Sequence, residues 1–262
     1  MELTQVSKVL MLVGVEMLKI ANTVKRKYLG AHMVTQLAPF DRSEIKGLIF
    51  FLLFAWLDIV CILTILTEPS ITIYGVLFIV PLGLMHLWAI RILIKDYYST
   101  QMESLYFIAL LTVHAMYGSF LMMLQYMHLR LEIPVLVSVL SLSLYFIGWI
   151  IYFGQYTLRK YANRRWDIQQ KNYLFEVLIL VLCLYPGFGR FNAHRVLEGH
   201  PYEYQLKFGI IAIIVVFFIY LAVLYVHKLV YIQVNRSHFR YKEPSKKEKK
   251  QMKARGKEFI VK

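Results

Sequence analysis

The sequence predicts an all-α, polytopic integral membrane protein with six transmembrane helices in one bundle, and three observations lead to this fold class. Of the 262 residues, 58% are hydrophobic and 18% are charged, whereas soluble domains average about 45–50% apolar and about 25% charged residues. Several apolar runs approach the roughly 20 residues that cross a hydrocarbon core of about 30 Å. No long polar block remains that would form a separate soluble domain.

Six continuous apolar windows lie within residues 47–234, and one further segment lies on each side of them. We expect residues 1–46 to form a cytoplasmic N-terminal segment, residues 47–234 the six-span bundle, and residues 235–262 a basic cytoplasmic tail. The predicted spans are Gly47–Thr67, Ile71–Ile94, Ser104–Tyr126, Ile133–Tyr156, Asn172–Gly189 and Phe208–Val234. The residues between the first two spans, TEPS, form a tight turn because proline cannot continue a helix, so these spans are predicted to be antiparallel neighbours.

The distribution of Lys and Arg predicts the orientation of the bundle. Lys and Arg are retained in cytoplasmic segments near the ends of spans, and an even number of spans puts both termini on one side. That side carries 26 of the 30 basic residues, and the other side carries Arg130, Arg190, Arg195 and Lys207. We therefore expect a plasma-membrane protein with both termini in the cytoplasm.

Residues 8–27 predict an amphipathic helix that lies in the membrane interface, because a charged stripe runs along an otherwise apolar segment. Lys25, Arg26 and Lys27 would contact anionic lipid headgroups, as would the basic C-terminal tail. The alternative is a short seventh span or a re-entrant helix, which would move the N-terminus outside. This membrane topology explains the net charge of +14, and no aromatic-interleaved basic pattern indicates nucleic-acid binding.

Ionisable side chains lie inside several predicted spans. Asp58 is about eleven residues from the cytoplasmic end of span one, close to the midplane at about 1.5 Å per residue. A carboxylate there costs roughly 2.5–3.5 kcal/mol, so it should face the bundle interior, be protonated or have a partner. His86 and His114 lie at related depths on spans two and three, and His227 lies in the inner part of span six. Because spans one to three are consecutive, we expect Asp58, His86 and His114 to form one polar layer.

Three roles are open for this polar layer. It would act as a proton or ion relay if its Asp and His side chains titrate during transport. It would bind a metal or haem if the imidazole and carboxylate groups serve as ligands. It would be structural if hydrogen bonds between these groups hold the helices together. No catalytic or cofactor-binding motif accompanies the layer, so the structural role is favoured and no cofactor is predicted.

The predicted external loop after span five carries Arg190, His194, Arg195 and His200. Irregular loops on rigid scaffolds often carry binding residues, so this loop is a candidate surface for recognising a partner. The alternative is an interfacial belt of aromatic residues whose charged neighbours face water. His194 and His200 are also candidate metal ligands, although a spacing of six residues without a fixed helix is a weak signal.

These patterns predict a protein that acts by interaction in or across the bilayer rather than by covalent chemistry, as a bacterial accessory or immunity-type membrane component. Its partner would be another membrane protein or a second copy of the chain. One alternative is a small transporter with a relay at Asp58, His86 and His114, and a less favoured one is an intramembrane metal-dependent enzyme. Cys61 and Cys183 lie inside predicted spans, which favours apolar packing over a disulfide.

Overall fold

The structure is a computed structural model that describes residues 18–21, 23–62, 73–162 and 203–244. These residues form helices and connecting segments, and they contain no strand. The helices are α1 (Ala31–Gln36), α2 (Arg42–Leu48), α3 (Ile73–Ile94), α4 (Gln101–Leu129), α5 (Val135–Ala162) and α6 (Glu203–Val234). A π-helical segment, Ile49–Ile62, continues directly from α2.

Four helices, α3 to α6, are long and apolar enough to cross a membrane. They correspond to the predicted spans two, three, four and six. The all-helical class is confirmed for the described residues, and so is the prediction that these four segments form helices long and apolar enough to cross a membrane. The predicted fifth span, 172–189, lies outside the described residues. So do most of the tail, 245–262, and the first half of the predicted interfacial helix, 8–17.

The helix that contains the predicted first span begins before Gly47, at Arg42. Asp41 caps it, because the Asp41 side chain accepts from the backbone N–H of Glu44 while the Glu44 carboxylate accepts from the N–H of Asp41 at 2.7 Å. This reciprocal capping box is visible in the sequence as D-x-x-E before an apolar run. The described helix then runs through the π-helical segment, and its last described residue is Ile62.

The end of the predicted interfacial helix has a different structure. Leu18 is helical, whereas residues 19–21 and 23–28 are irregular apart from a 3₁₀ turn at Arg26–Tyr28, and both Leu18 and Ile20 are buried. The side chain of Asn235 accepts a hydrogen bond from the N–H of Ile20 at 2.6 Å and donates one to the carbonyl of Leu18 at 2.9 Å. Those backbone groups therefore bond to the far end of the chain rather than within a helix.

Helix α4 is the central element of the bundle. In its most apolar stretch 72% of the residues are buried, against 17–28% in the corresponding stretches of the other three long helices. Gly118 permits the close approach of α3, because a Cβ atom at this position would lie 2.6 Å from the buried ring of Phe78 and 3.1 Å from Leu57. Small residues allow membrane helices to approach closely in this way.

Polar contacts also join α4 to its neighbours. The indole N–H of Trp56 donates to the hydroxyl of Ser119 at 3.1 Å. Pro81 lies inside α3 and has no N–H, so the carbonyl of Leu77 lacks its usual helical donor. The hydroxyl of Tyr117 donates to that carbonyl at 3.3 Å. A neighbouring helix thus satisfies the backbone group that the proline leaves free, as the bilayer interior requires.

The two ends of the bundle differ in charge. One end of the bundle is formed by residues 18–41, the α3–α4 connection 95–100 and residues 235–244, and we call it the cation-rich end. At the opposite end the hydroxyl of Tyr126 donates to the carbonyl of Tyr204 at 3.3 Å. Among the described residues, 14 Lys and Arg side chains lie at or beside the cation-rich end, and only Arg130 and Lys207 lie at the opposite end.

Candidate functional site

Asp58 and His86 form a polar pair between the π-helical segment and α3. Nε2 of His86 lies 3.0 Å from Oδ2 of Asp58. Nδ1 of the same imidazole lies 2.9 Å from the carbonyl oxygen of Leu82, one turn earlier on α3. The ring of Phe54 packs edge-on against His86, with 5.8 Å between ring centroids. The helix backbone therefore orients the imidazole, and an apolar ring covers one side of it.

The geometry of this pair requires a proton between the two side chains. A carbonyl oxygen only accepts hydrogen bonds, so Nδ1 of His86 must be the nitrogen that donates to Leu82. In a neutral imidazole Nε2 then carries a lone pair, which would face another acceptor, Oδ2 of Asp58. A favourable contact at 3.0 Å therefore contains one proton, carried either by the carboxyl group or by the imidazole.

The pair lies toward the outer surface of the bundle rather than in its centre. The side chains of His86 and Asp58 are 31% and 25% exposed. Adjacent positions are exposed apolar residues, including Leu87 at 67%. The second carboxyl oxygen, Oδ1 of Asp58, is buried and has no hydrogen-bond partner in the described part of the chain. A partly exposed, partly unsatisfied polar pair thus sits on a face that lipid would otherwise cover.

His114 does not contact this pair. It is buried in α4 and stacks on Phe78, with ring centroids 5.6 Å apart and the planes 6° from parallel. Phe78 precedes His86 by eight residues on α3, which is about 12 Å along the helix. Nε2 of His114 has no hydrogen-bond partner among the described residues. The structure therefore brings together two members of the predicted polar layer and places the third among aromatic rings.

His227 lies in α6 near the cation-rich end. Its ring stacks on those of Tyr161, 5.0 Å away, and Tyr231, 6.0 Å away, and these two tyrosine rings are also in contact, with centroids 5.9 Å apart. Neither ring nitrogen has a hydrogen-bond partner in the described structure. The neighbouring Lys228 places its ammonium 4.3 Å from the centre of the Phe40 ring and donates to the carbonyl of Thr35 at 3.4 Å. His227 is thus part of an aromatic stack, separate from the Asp58–His86 pair.

Asn235 forms a clamp that the sequence patterns did not indicate. It is buried just after α6, and its amide bonds to the carbonyls of Leu18 and Tyr231 and to the N–H of Ile20. Beyond it, Nε2 of His238 donates to the carbonyl of Val24 at 3.0 Å. The two ends of the described chain are therefore joined by buried hydrogen bonds across more than 200 positions in sequence.

The α3–α4 connection is held at the same end. The amide of Gln101 donates to the carbonyl of Lys242 and accepts from its N–H, both at 2.8 Å. The hydroxyl of Tyr97 donates to the carbonyl of Phe40 at 2.6 Å. Burial, reinforced by the negative charges of Asp41 and Glu44, raises the pKa of Tyr97 to about 12. Tyr97 therefore keeps the proton that this hydrogen bond needs throughout the physiological range.

The other predicted site residues are placed as follows. Lys25 and Lys27 are exposed, and Arg26 donates to the carbonyl of His238 at 3.3 Å. The external-loop residues Arg190, His194, Arg195 and His200 lie outside the described residues.

Within the described ranges no three His, Cys, Asp or Glu side chains come together in an arrangement that would hold a metal ion. The chain matches no protein family model, no curated protein and no solved structure.

Proposed function

We propose that this protein is a six-span component of the plasma membrane that acts by contacts within the bilayer, as an accessory or immunity-type protein does. Its partner is a transmembrane helix of another membrane protein, which docks on the face of α3 and the π-helical segment. Covalent chemistry is not part of this role.

The Asp58–His86 pair is the observation that supports this proposal. Lipid tails cannot hydrogen-bond, so ionisable side chains within membranes almost always face a protein interior or a water-filled cavity. Here both side chains are partly exposed, at 25% and 31%, and Leu87 beside them is 67% exposed. A docked helix would cover the pair, and helices in membranes do associate through hydrogen bonds between polar side chains.

A second candidate is proton-coupled transport, and the proton held between Asp58 and His86 favours it. The relay predicted from the sequence continues to His114. That residue stacks on Phe78 instead, so a continuous chain of hydrogen bonds does not extend from the pair through the described residues. This interruption makes the docking role the better supported of the two.

Site-specific photo-crosslinking tests the docking role. We expect a photoreactive amino acid at Leu87 to give one discrete intermolecular protein adduct in native membranes, because this side chain projects beside the exposed pair. Leu144 on α5, which is 73% exposed, is the matched control and should give lipid adducts only. Lipid adducts alone at both positions would contradict the proposal. An adduct at twice the mass of the chain would identify the partner as a second copy.

The proposed orientation, with both termini cytoplasmic, has its own test. We expect a cysteine at Glu132 to react with an impermeant thiol reagent in intact cells, and a cysteine at Ser99 to react only after permeabilisation. Both side chains are exposed, and they lie at opposite ends of the bundle. Cys61 and Cys183 are replaced first, so that labelling reports the new thiol. Labelling at Ser99 in intact cells would reverse the orientation.

A further inference from the structure

A small pocket, with room for about one water molecule, lies at the cation-rich end, where α2, the last turn of α3 and the start of α4 meet. Three cationic side chains and three hydroxyl-bearing side chains contribute to its lining: Arg42, Lys46, Lys95, Tyr97, Thr100 and Ser104. Because α3 is long and apolar enough to cross a membrane and ends at Ile94, we expect the pocket to lie at the depth of the lipid headgroups.

The cations of this pocket are poorly neutralised. Arg42 and Lys46 are four residues apart on α2, so they share one face of the helix and repel each other. Neither forms an ion pair within the described part of the chain. Lys95 lies 4.0 Å from Glu103, whose carboxylate is already paired with Arg91 at 2.8 Å. An anion in the pocket would offset this repulsion.

The acidic groups of α2 have other partners. Asp41 and Glu44 form the capping box at the start of the helix, and Asp41 also pairs with Lys242. These two carboxylates therefore interact with the helix N-terminus and with the C-terminal segment. Neither residue lines the pocket.

Ser104 provides an independent indication of a ligand. It is 1% exposed and lines the pocket, yet its hydroxyl has no hydrogen-bond partner among the described residues. Thr100, by contrast, donates its hydroxyl to the carbonyl of Asp96 at 3.0 Å. A buried hydroxyl without a partner is unfavourable, so an acceptor oxygen in the pocket would satisfy Ser104.

We propose that this pocket receives one oxygen of a phosphate group, presented by the headgroup of an anionic lipid, while the exposed cations at its mouth pair with the other oxygens. The guanidinium and ammonium groups would pair with phosphate oxygens, and the hydroxyl of Ser104 would donate to one of them. The remaining wall includes Ile45, Ile92 and Leu93, and Leu93 and the neighbouring Ile94 are exposed apolar side chains. These side chains suit acyl chains, which a free phosphate lacks. Basic pockets between membrane helices bind anionic headgroups in this way.

Native mass spectrometry of the purified full chain in detergent tests this site. The probes are phosphatidic acid, phosphatidylcholine and inorganic phosphate. We expect one phosphatidic acid molecule to be retained in preference to phosphatidylcholine. The double variant Arg42→Gln and Lys46→Gln should weaken this binding by about tenfold or more, since each basic residue near an anionic lipid contributes on the order of a fivefold effect. Ser104→Ala should also weaken binding although it leaves the net charge unchanged.

The matched control removes two charges from the same end of the bundle but outside the pocket. Arg236→Gln with Arg240→Gln changes exposed residues and should leave the affinity for phosphatidic acid unchanged. If both double variants weaken binding equally, or if Ser104→Ala has no effect, the lipid does not bind in the pocket and is attracted diffusely to the charged surface instead. If inorganic phosphate binds equally tightly and competes with phosphatidic acid, the pocket is a phosphate site, but the proposal that a lipid supplies the phosphate is wrong.

Discussion

Replacing Asn235 by alanine is expected to release the N-terminal segment from the bundle. The substitution leaves the N–H of Ile20 and the carbonyl of Leu18 buried without partners. Each such orphaned group costs about 1–3 kcal/mol, so the two together should cost roughly 2–6 kcal/mol locally. Hydrogen exchange at the Ile20 amide measures this local loss of stability. The protection factor of that amide should fall by at least about tenfold, the equivalent of about 1.4 kcal/mol.

Arg236→Ala is the control for this prediction. Arg236 is the next residue in the chain but is exposed, so its loss should leave the protection of the Ile20 amide unchanged. The amides in the middle of α4 should remain protected in the Asn235→Ala variant, because the packing around Gly118 and Phe78 does not involve Asn235. Unchanged protection at Ile20 would show that the clamp does not hold the N-terminal segment.

Replacing Asp58 by leucine is expected to lower the free energy of unfolding by about 1–3 kcal/mol, because Nε2 of His86 loses its partner in apolar surroundings. Asparagine should behave differently, because its amide donates to Nε2 and keeps the hydrogen bond. Interhelical hydrogen bonds in membranes average about 0.6 kcal/mol, so the asparagine variant should stay within about that much of the unchanged protein. Thermal unfolding in detergent measures both. Equal destabilisation by the two substitutions would contradict the proton-sharing geometry.

The asparagine variant also separates the two candidate functions. An amide does not titrate in the physiological range, so the variant folds but cannot pass the shared proton. If the docking role holds, crosslinking from Leu87 persists in Asp58→Asn. If transport holds, proton uptake into vesicles is lost in Asp58→Asn and in His86→Gln. His114→Gln is the control, since His114 stacks on Phe78 away from the pair and should leave proton uptake unchanged.

The membrane-crossing helices could be predicted from the sequence because crossing depends on local properties. A run of about 20 apolar residues is long enough to span lipid whatever its neighbours are. The start of α2 was also accessible from local signals, since Asp41 and Glu44 have the spacing of a capping box. The prediction placed the start at Gly47 because it followed hydropathy alone.

The candidate site was only partly predictable, because depth along a helix does not determine which way a side chain points. Sequence position placed Asp58, His86 and His114 at related depths. Which of them meet depends on the rotation and packing of neighbouring helices, and Gly118 brings Phe78 against α4 where His114 lies. The Asn235 clamp was inaccessible, because its partner Ile20 is 215 residues away.

By itself, the sequence determined that this chain is a helical membrane protein, which helices are long enough to cross, and where its basic charge concentrates. These properties follow from the composition and length of the apolar segments. Whether such a segment is long and apolar enough to cross lipid does not depend on its tertiary contacts. Only the tertiary structure decided that His86 pairs with Asp58, that His114 stacks on an aromatic ring, and that Asn235 joins the two ends of the described chain. Such contacts depend on helix rotation and on close packing between distant segments, which one-dimensional hydropathy does not encode.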